Sequence, residues 1–366
     1  MKRLISFLLL LLLSACTIAV VETQSVNPPH STPTALQQND VTLRSLADRK
    51  DFGIGAAVAL GPLRRDRTYS QILAREFNQI MPENAMKFEA LHPERDRFNF
   101  KGADDIVNFA NEHNMRLFGH TLVWQRGLAD WLKAGDWTRE ELIDILRNHI
   151  QTVVSRYRGR IYAWDVVNEA LDTDSSLREL IWSRGIGPEY IELSYRWAHE
   201  ADPNAKLFYN EYDPGGWGAQ SGQKVDALYR LLADLKERDV PLDGVGLQMH
   251  LRLDDAPTYE GLKQSLERLA ELDLQIQITE TDVRMGYQGE PSPEQLQQQA
   301  KIYKDLIQAC LDVPQCTGFW FWGFTDRYTW VSSFMGQSGA PLIFDQYYRP
   351  KPAYDAIAQA LKSTTR

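Results

Sequence analysis

Short apolar runs alternate with amphipathic stretches along most of the chain. Eight runs read as strands: FGIGAAV (52–58), QIMPE (79–83), MRLFGHTLVW (115–124), IYAWDVVNE (161–169), KLFYNEY (206–212), GVGLQMHL (244–251), QIQITETDV (275–283) and GFWFWGFTD (318–326). Helical patterns fill the gaps between them. TREELIDILRNHIQTVVSRY (138–157) opens on a Thr-x-x-Glu capping box, and SPEQLQQQAKIYKDLIQACL (292–311) on Ser-Pro-x-Gln, a cap with proline just inside. KPAYDAIAQALK (351–362) follows the last run. Eight strand–helix units over this length predict an α/β fold, a single (β/α)8 barrel. A doubly wound sheet is the competing arrangement. It needs a Gly-rich phosphate turn after the first strand, and FGIGAAVALG lacks that spacing.

In such a barrel functional groups stand at the C-terminal ends of the strands. Seven of the eight runs end in polar residues: Glu83-Asn84, His120, Asn168-Glu169, Asn210-Glu211, Gln248-His250, Glu280-Asp282 and Asp326. Any one is ordinary at a sheet edge. Carboxylates, amides, imidazoles and tryptophans converging on one face predict a site. Glu169 and Glu280 are 111 residues apart, yet a barrel brings both to one mouth. Two carboxyl groups meeting there are the minimum equipment for acid/base and nucleophilic work on a glycosidic bond.

Glu169 is the candidate acid/base and Glu280 the candidate nucleophile. Against this stand a solvated rim glutamate and a structural pairing of Glu280 with an arginine such as Arg284. Asn168 could hydrogen-bond a sugar hydroxyl. Asp282 lies two residues past Glu280, so extended backbone points both the same way. His250 closes a neighbouring strand and could bridge them, holding Glu280 ionised and oriented; a hydrogen-bonded core histidine is the plainer alternative.

The formal charge of −9 disfavours nucleic acid as a partner but not a neutral polymer. Trp 10 among the aromatics matters because sugar rings stack on tryptophan faces. The N-terminus reads as a targeting signal. Lys2 and Arg3 precede the leucine run Leu8–Leu13, too short for a permanent span, and Leu13-Ser14-Ala15-Cys16 follows. That ending resembles the lipobox of bacterial lipoproteins. The resemblance implies a signal peptide over residues 1–15, cleavage before Cys16 and a lipid anchor on Cys16, holding the protein on a membrane that faces the periplasm or cell surface. A plain secretory peptide cut near Ala15 or Ala19, giving a secreted protein, is the alternative. Residues 16–41, rich in Ser, Thr, Pro, Gln and Asn, read as a flexible tether to a catalytic unit over 42–366. Export permits a disulfide between Cys310 and Cys316, six positions apart; two buried thiols are the alternative.

Seven segments in order resemble glycoside hydrolase family 10, the endo-β-1,4-xylanases, over roughly residues 45–360: MPENAMKFE (81–89), GHTLVW (119–124), WDVVNEA (164–170), YNEY (209–212), GLQMHL (246–251), ITETDV (278–283) and FWGFTDRYTW (321–330). CLDVPQC (310–316) is similar to a cysteine pair common in that family. The resemblance implies retaining hydrolysis of xylan, with Glu169 as proton donor, Glu280 as nucleophile and no metal or organic cofactor. Asn168, His120 and Gln248 would grip the sugar at the cleavage site, with His250 and Asp282 supporting Glu280. Glu83, Asn84 and Lys87 would bind the next sugar on the non-reducing side. Trp124, Trp322 and Trp330 would wall the cleft, and Tyr209 would stack on the leaving-group side. A monomer is expected. Gln125 and Gly127 depart from the usual His and Gln, which implies altered contacts at the second sugar subsite, and Phe88 replaces a usual Trp as a packing change. Those departures keep open another β-1,4-glycan, such as mixed-linkage glucan or an aryl cellobioside. A non-catalytic, tethered glycan-binding barrel is the reading from another class.

Overall fold

The computed structural model describes residues 41–213, 222–286, 290–335 and 339–363. The expected signal peptide, Cys16 and all of the expected tether but Val41 lie outside the described residues. Eight parallel strands close into a barrel in sequence order: β1 Gly53–Val58, β2 Gln79–Pro82, β3 Arg116–Gly119, β4 Ala163–Asn168, β5 Lys206–Tyr212, β6 Gly244–Arg252, β7 Gln275–Arg284 and β8 Cys316–Phe321. A principal helix follows each strand: α1 Arg67–Glu76, α2 Lys101–Glu112, α3 Arg139–Arg156, α4 Tyr190–Ala201, α5 Gly222–Glu237, α6 Tyr259–Ala270, α7 Pro293–Leu311 and α8 Pro352–Ser363. The two caps read from the sequence are formed. Thr138 accepts from the Glu141 amide and Ser292 from that of Gln295, and each partner's side chain returns to the cap backbone.

Two layers of apolar side chains hold this arrangement. One lies between strands and helices. The other fills the barrel with Ala57, Met81, Phe118, Ala163, Phe208, Trp320 and Trp322. The Trp320 ring crosses so close to β1 that a Cβ at Gly55 would lie 2.1 Å from it, which only glycine avoids. Inside the barrel the Trp320 indole donates to Gln277, so its polar edge is not left bare.

The third and eighth strands are shorter than the apolar runs suggested. Past Gly119 the chain stays beside β4 through Leu122 N to Asp165 O and Val123 N to Val166 O, both 3.0 Å, but as an isolated bridge. Past Phe321 it turns at Gly323, where φ is +95°. These stretches are apolar because they pack, while their irregular backbone presents Trp124 and Trp322 to the mouth. At the opposite end, Cys310 of α7 and Cys316 at the start of β8 form the expected disulfide.

Candidate active site

The C-terminal strand ends surround a cleft of about 750 Å³. Glu169 and Glu280 both line it, as do Asn168, His120, Gln248 and His250. Glu83, Asn84 and Lys87 reach it from the segment after β2, and Trp124, Trp322 and Trp330 form part of its wall. Asp282 is fully buried behind it.

Both glutamates sit in the left-handed region, at φ +57° for Glu169 and +53° for Glu280. For a non-glycine residue that costs roughly 1–3 kcal/mol, so the surroundings must impose it. The conformation breaks strict alternation of side chains. Gln248 Nε2 donates to both Asn168 Oδ1 (3.1 Å) and Glu169 Oε1 (3.2 Å), so two consecutive residues face the same amide. Asn210 likewise accepts from Thr279 Oγ1 at 2.7 Å and donates to Glu280 Oε1 at 2.7 Å. Its other donor reaches Asn168 Oδ1 at 2.8 Å. A chain of side-chain amides therefore runs from one carboxylate to the other. Gly246 makes room for it, since a Cβ there would stand 2.3 Å from Asn210 Oδ1.

The two carboxylates have unequal company. Glu280 Oε2 faces His250 Nε2 at 3.0 Å, while His250 Nδ1 faces Asp282 Oδ2 at 2.7 Å. Asp282 Oδ2 also accepts from Trp330 Nε1 at 2.7 Å. Burial opposes charge on His250, but the Asp282 charge and the hydrogen bonds to Asp282 and Glu280 outweigh it and raise its pKa to about 10. At neutral pH His250 is an imidazolium that donates to both carboxylates. Among the described residues Glu169 has only neutral side-chain donors: Gln125 Nε2 at 2.9 Å on Oε2, and Gln248 with a long contact from Asn168 on Oε1. His120 behaves oppositely to His250. Burial lowers it to about 4, so its ring is uncharged, 2.8 Å from the equally buried Asp165 carboxyl, which burial pushes upward. Lys87 lies 4.6 Å over the Trp124 ring and donates to Asn84 at 2.7 Å. Burial draws its pKa down, against the pull of the Glu280, Glu83 and Glu169 carboxylates.

Tyr209 is corrected by the structure: it does not reach the cleft. It is fully buried in the outer layer, where its hydroxyl donates to Glu211 at 2.7 Å and accepts from Ala170 N. Phe208 fills the barrel interior, so period-two alternation sends Asn210 and Tyr212 inward and Tyr209 outward. Tyr212 lines the cleft instead, with Arg178 donating to its hydroxyl at 2.7 Å. The signal was the parity of YNEY around Asn210. Gln125 also lines the cleft. Its amide donates to Glu169 itself, while Gly127, at φ +64°, lies 3.3 Å from Lys87 Cβ by its would-be Cβ. Phe88 packs as expected, stacked on His149. Arg284 does not pair with Glu280; among the described residues its guanidinium has no ion pair.

The model of glycosyl hydrolase family 10 matches residues 42–360. The chain belongs to that family. Endo-1,4-beta-xylanase B of Thermotoga neapolitana is 44% identical over 325 residues, covering 88% of this chain and 92% of that protein. The crystal structure of xylanase 10B from Thermotoga petrophila RKU-1, in complex with xylobiose, superposes with a TM-score of 0.84 at 44% identity, covering 88% of this chain and 97% of that one. Exoglucanase XynX of Acetivibrio thermocellus is 40% identical over 339 residues, 89% of this chain but only 30% of that longer protein. As a family 10 glycosidase, the chain carries its two candidate carboxyl groups at one end of the barrel, linked through the side-chain amides of Asn210, Asn168 and Gln248.

Proposed function

We propose that this protein is a retaining endo-1,4-β-xylanase. The observation that carries the mechanism is the unequal setting of the two carboxyl groups: a cation and an amide on Glu280, neutral amides on Glu169. The Glu280 carboxylate attacks the anomeric carbon of an internal xylose. The bond from that carbon to the bridging oxygen breaks as Glu169 delivers its proton to the leaving oxygen. Glu169, now a carboxylate, takes a proton from water; the hydroxide displaces Glu280 and the original configuration returns. His250, Asn210 and Asp282 hold the nucleophile, and Asn168, His120, Gln248 and Lys87 hold the sugar. The test is hydrolysis of xylan with the anomeric form read early by NMR. Wild type should release β-anomer first, and Glu280→Gln should abolish turnover without unfolding. Inverted product, or full activity in that variant, would sink the mechanism.

The exoglucanase relative and the contact of Gln125 with Glu169 favour one further reading, hydrolysis of another β-1,4-glycan. Turnover of xylan and mixed-linkage glucan by one preparation decides between them. We also propose that the chain is exported, anchored through lipid on Cys16, tethered by residues 16–41 and active as a monomer. The charged start, leucine run and Ser14-Ala15-Cys16 support this. Cys16→Ser should release the protein from the membrane fraction and end labelling by radioactive palmitate; unchanged membrane retention refutes the anchor.

A further inference from the structure

β7 ends in Arg284, and the register places it beside Arg252 at the end of β6. Both line the cleft. Arg252 is neutralised, its Nε 3.1 Å from Asp254 and 3.2 Å from Asp255. Arg284 is half-buried and has no hydrogen bond or ion pair from its guanidinium among the described residues. Its Nε is closed off from water with no acceptor in reach. A guanidinium partly removed from water without a counter-charge is costly. Among the described residues nothing offsets that cost at Arg284, so an anion from outside would.

Xylan's backbone is neutral and gives such a site no charge. An anion that arrives with this substrate must hang from the backbone, and a uronic-acid side group supplies a carboxylate. The planar guanidinium matches a carboxylate with two parallel hydrogen bonds. The molecule as a whole carries −9 and would repel an acidic glycan, so a local cation in the cleft is where attraction has to be built. We propose that Arg284 is a specificity-determining residue that docks the carboxylate of a uronic-acid side group borne on the glycan, so that the enzyme favours acidic over unsubstituted chains.

The inference rests on the xylanase reading, and the experiment separates the two. kcat/KM is measured on three xylo-oligosaccharides of equal length: unsubstituted, carrying one uronic acid, and carrying the same group with its carboxyl reduced to the alcohol. Wild type should prefer the acidic substrate over its reduced form, with the preference fading at high salt. Arg284→Met should lower that ratio about tenfold, through KM rather than kcat, and Arg284→Lys should restore part of it. An equal ratio in wild type and Arg284→Met overturns the proposal. So does a wild type indifferent to carboxyl reduction, a result that stands even if the variant does not fold. Failure of wild type to cleave the unsubstituted substrate would instead count against the xylanase reading.

Discussion

Glu280 divides its two oxygens between an amide and a cation, with Asn210 on Oε1 and His250 on Oε2. His250 owes its charge to this setting. Burial works against the imidazolium, and Asp282 and Glu280 raise its pKa from 6.5 to about 10. The folded value lies above the unfolded one. The stabilisation is therefore complete below pH 6.5 and is lost as pH rises through about 10. Wild type should lose unfolding free energy across that window, and His250→Asn should flatten the slope when chemical denaturation is followed at pH 6, 8 and 10. The same variant should lose about a hundredfold in kcat, the scale of a charged donor removed from a reacting carboxylate. Parallel slopes for the two proteins would remove His250 as the source. At this scale the glutamates, His250 and Asp282 were legible from residue type and strand position. Gln125 was visible only as a departure from a motif. Its contact with Glu169 depends on how the chain turns after β3, which no local pattern encodes.

Strand alternation explains the one misplaced residue. YNEY marks a strand end, but which tyrosine faces the sugar depends on parity, and the parity is set by Phe208 in the barrel core. Elsewhere parity itself fails. Register shifts interrupt β4 after Asp165, β6 after Gln248 and β7 after Ile278, and at Glu169 and Glu280 positive φ adds a second turn of the backbone. A period of two predicts Asn210 with Tyr212; it cannot predict Thr279 with Glu280. The two tyrosines should therefore separate cleanly. Tyr212→Ala should raise KM for xylo-oligosaccharides severalfold, with the unfolding midpoint close to wild type. Tyr209→Phe should strip Glu211 and Ala170 of a partner and lower stability by about 1–3 kcal/mol, with KM unchanged. A KM effect from Tyr209→Phe equal to that of Tyr212→Ala would contradict the assignment of faces.

The eightfold strand–helix alternation was legible because each barrel unit repeats the same demand, an apolar strand covered by a helix. The barrel then divides labour along its axis, with strained glutamates and imidazoles at the C-terminal mouth and covering structure at the other end. The Cys310–Cys316 bridge lies at that other end, joining the close of α7 to the start of β8. A loop this short removes little freedom from the unfolded chain, and loop-closure entropy gives about 2 kcal/mol. The barrel is closed on all sides by paired strands, and the bridge shares no side chain with the amide network around Glu169 and Glu280. Loss of the bridge should therefore reach stability without reaching chemistry. The double variant Cys310→Ala/Cys316→Ala should unfold at lower denaturant concentration, by about 2 kcal/mol, with kcat and KM at 25 °C matching wild type. A kinetic change of tenfold or more in a folded double variant would mean that the two ends of the barrel are coupled, and that the left-handed backbone at Glu280, on the strand paired with β8, is held partly by that bridge.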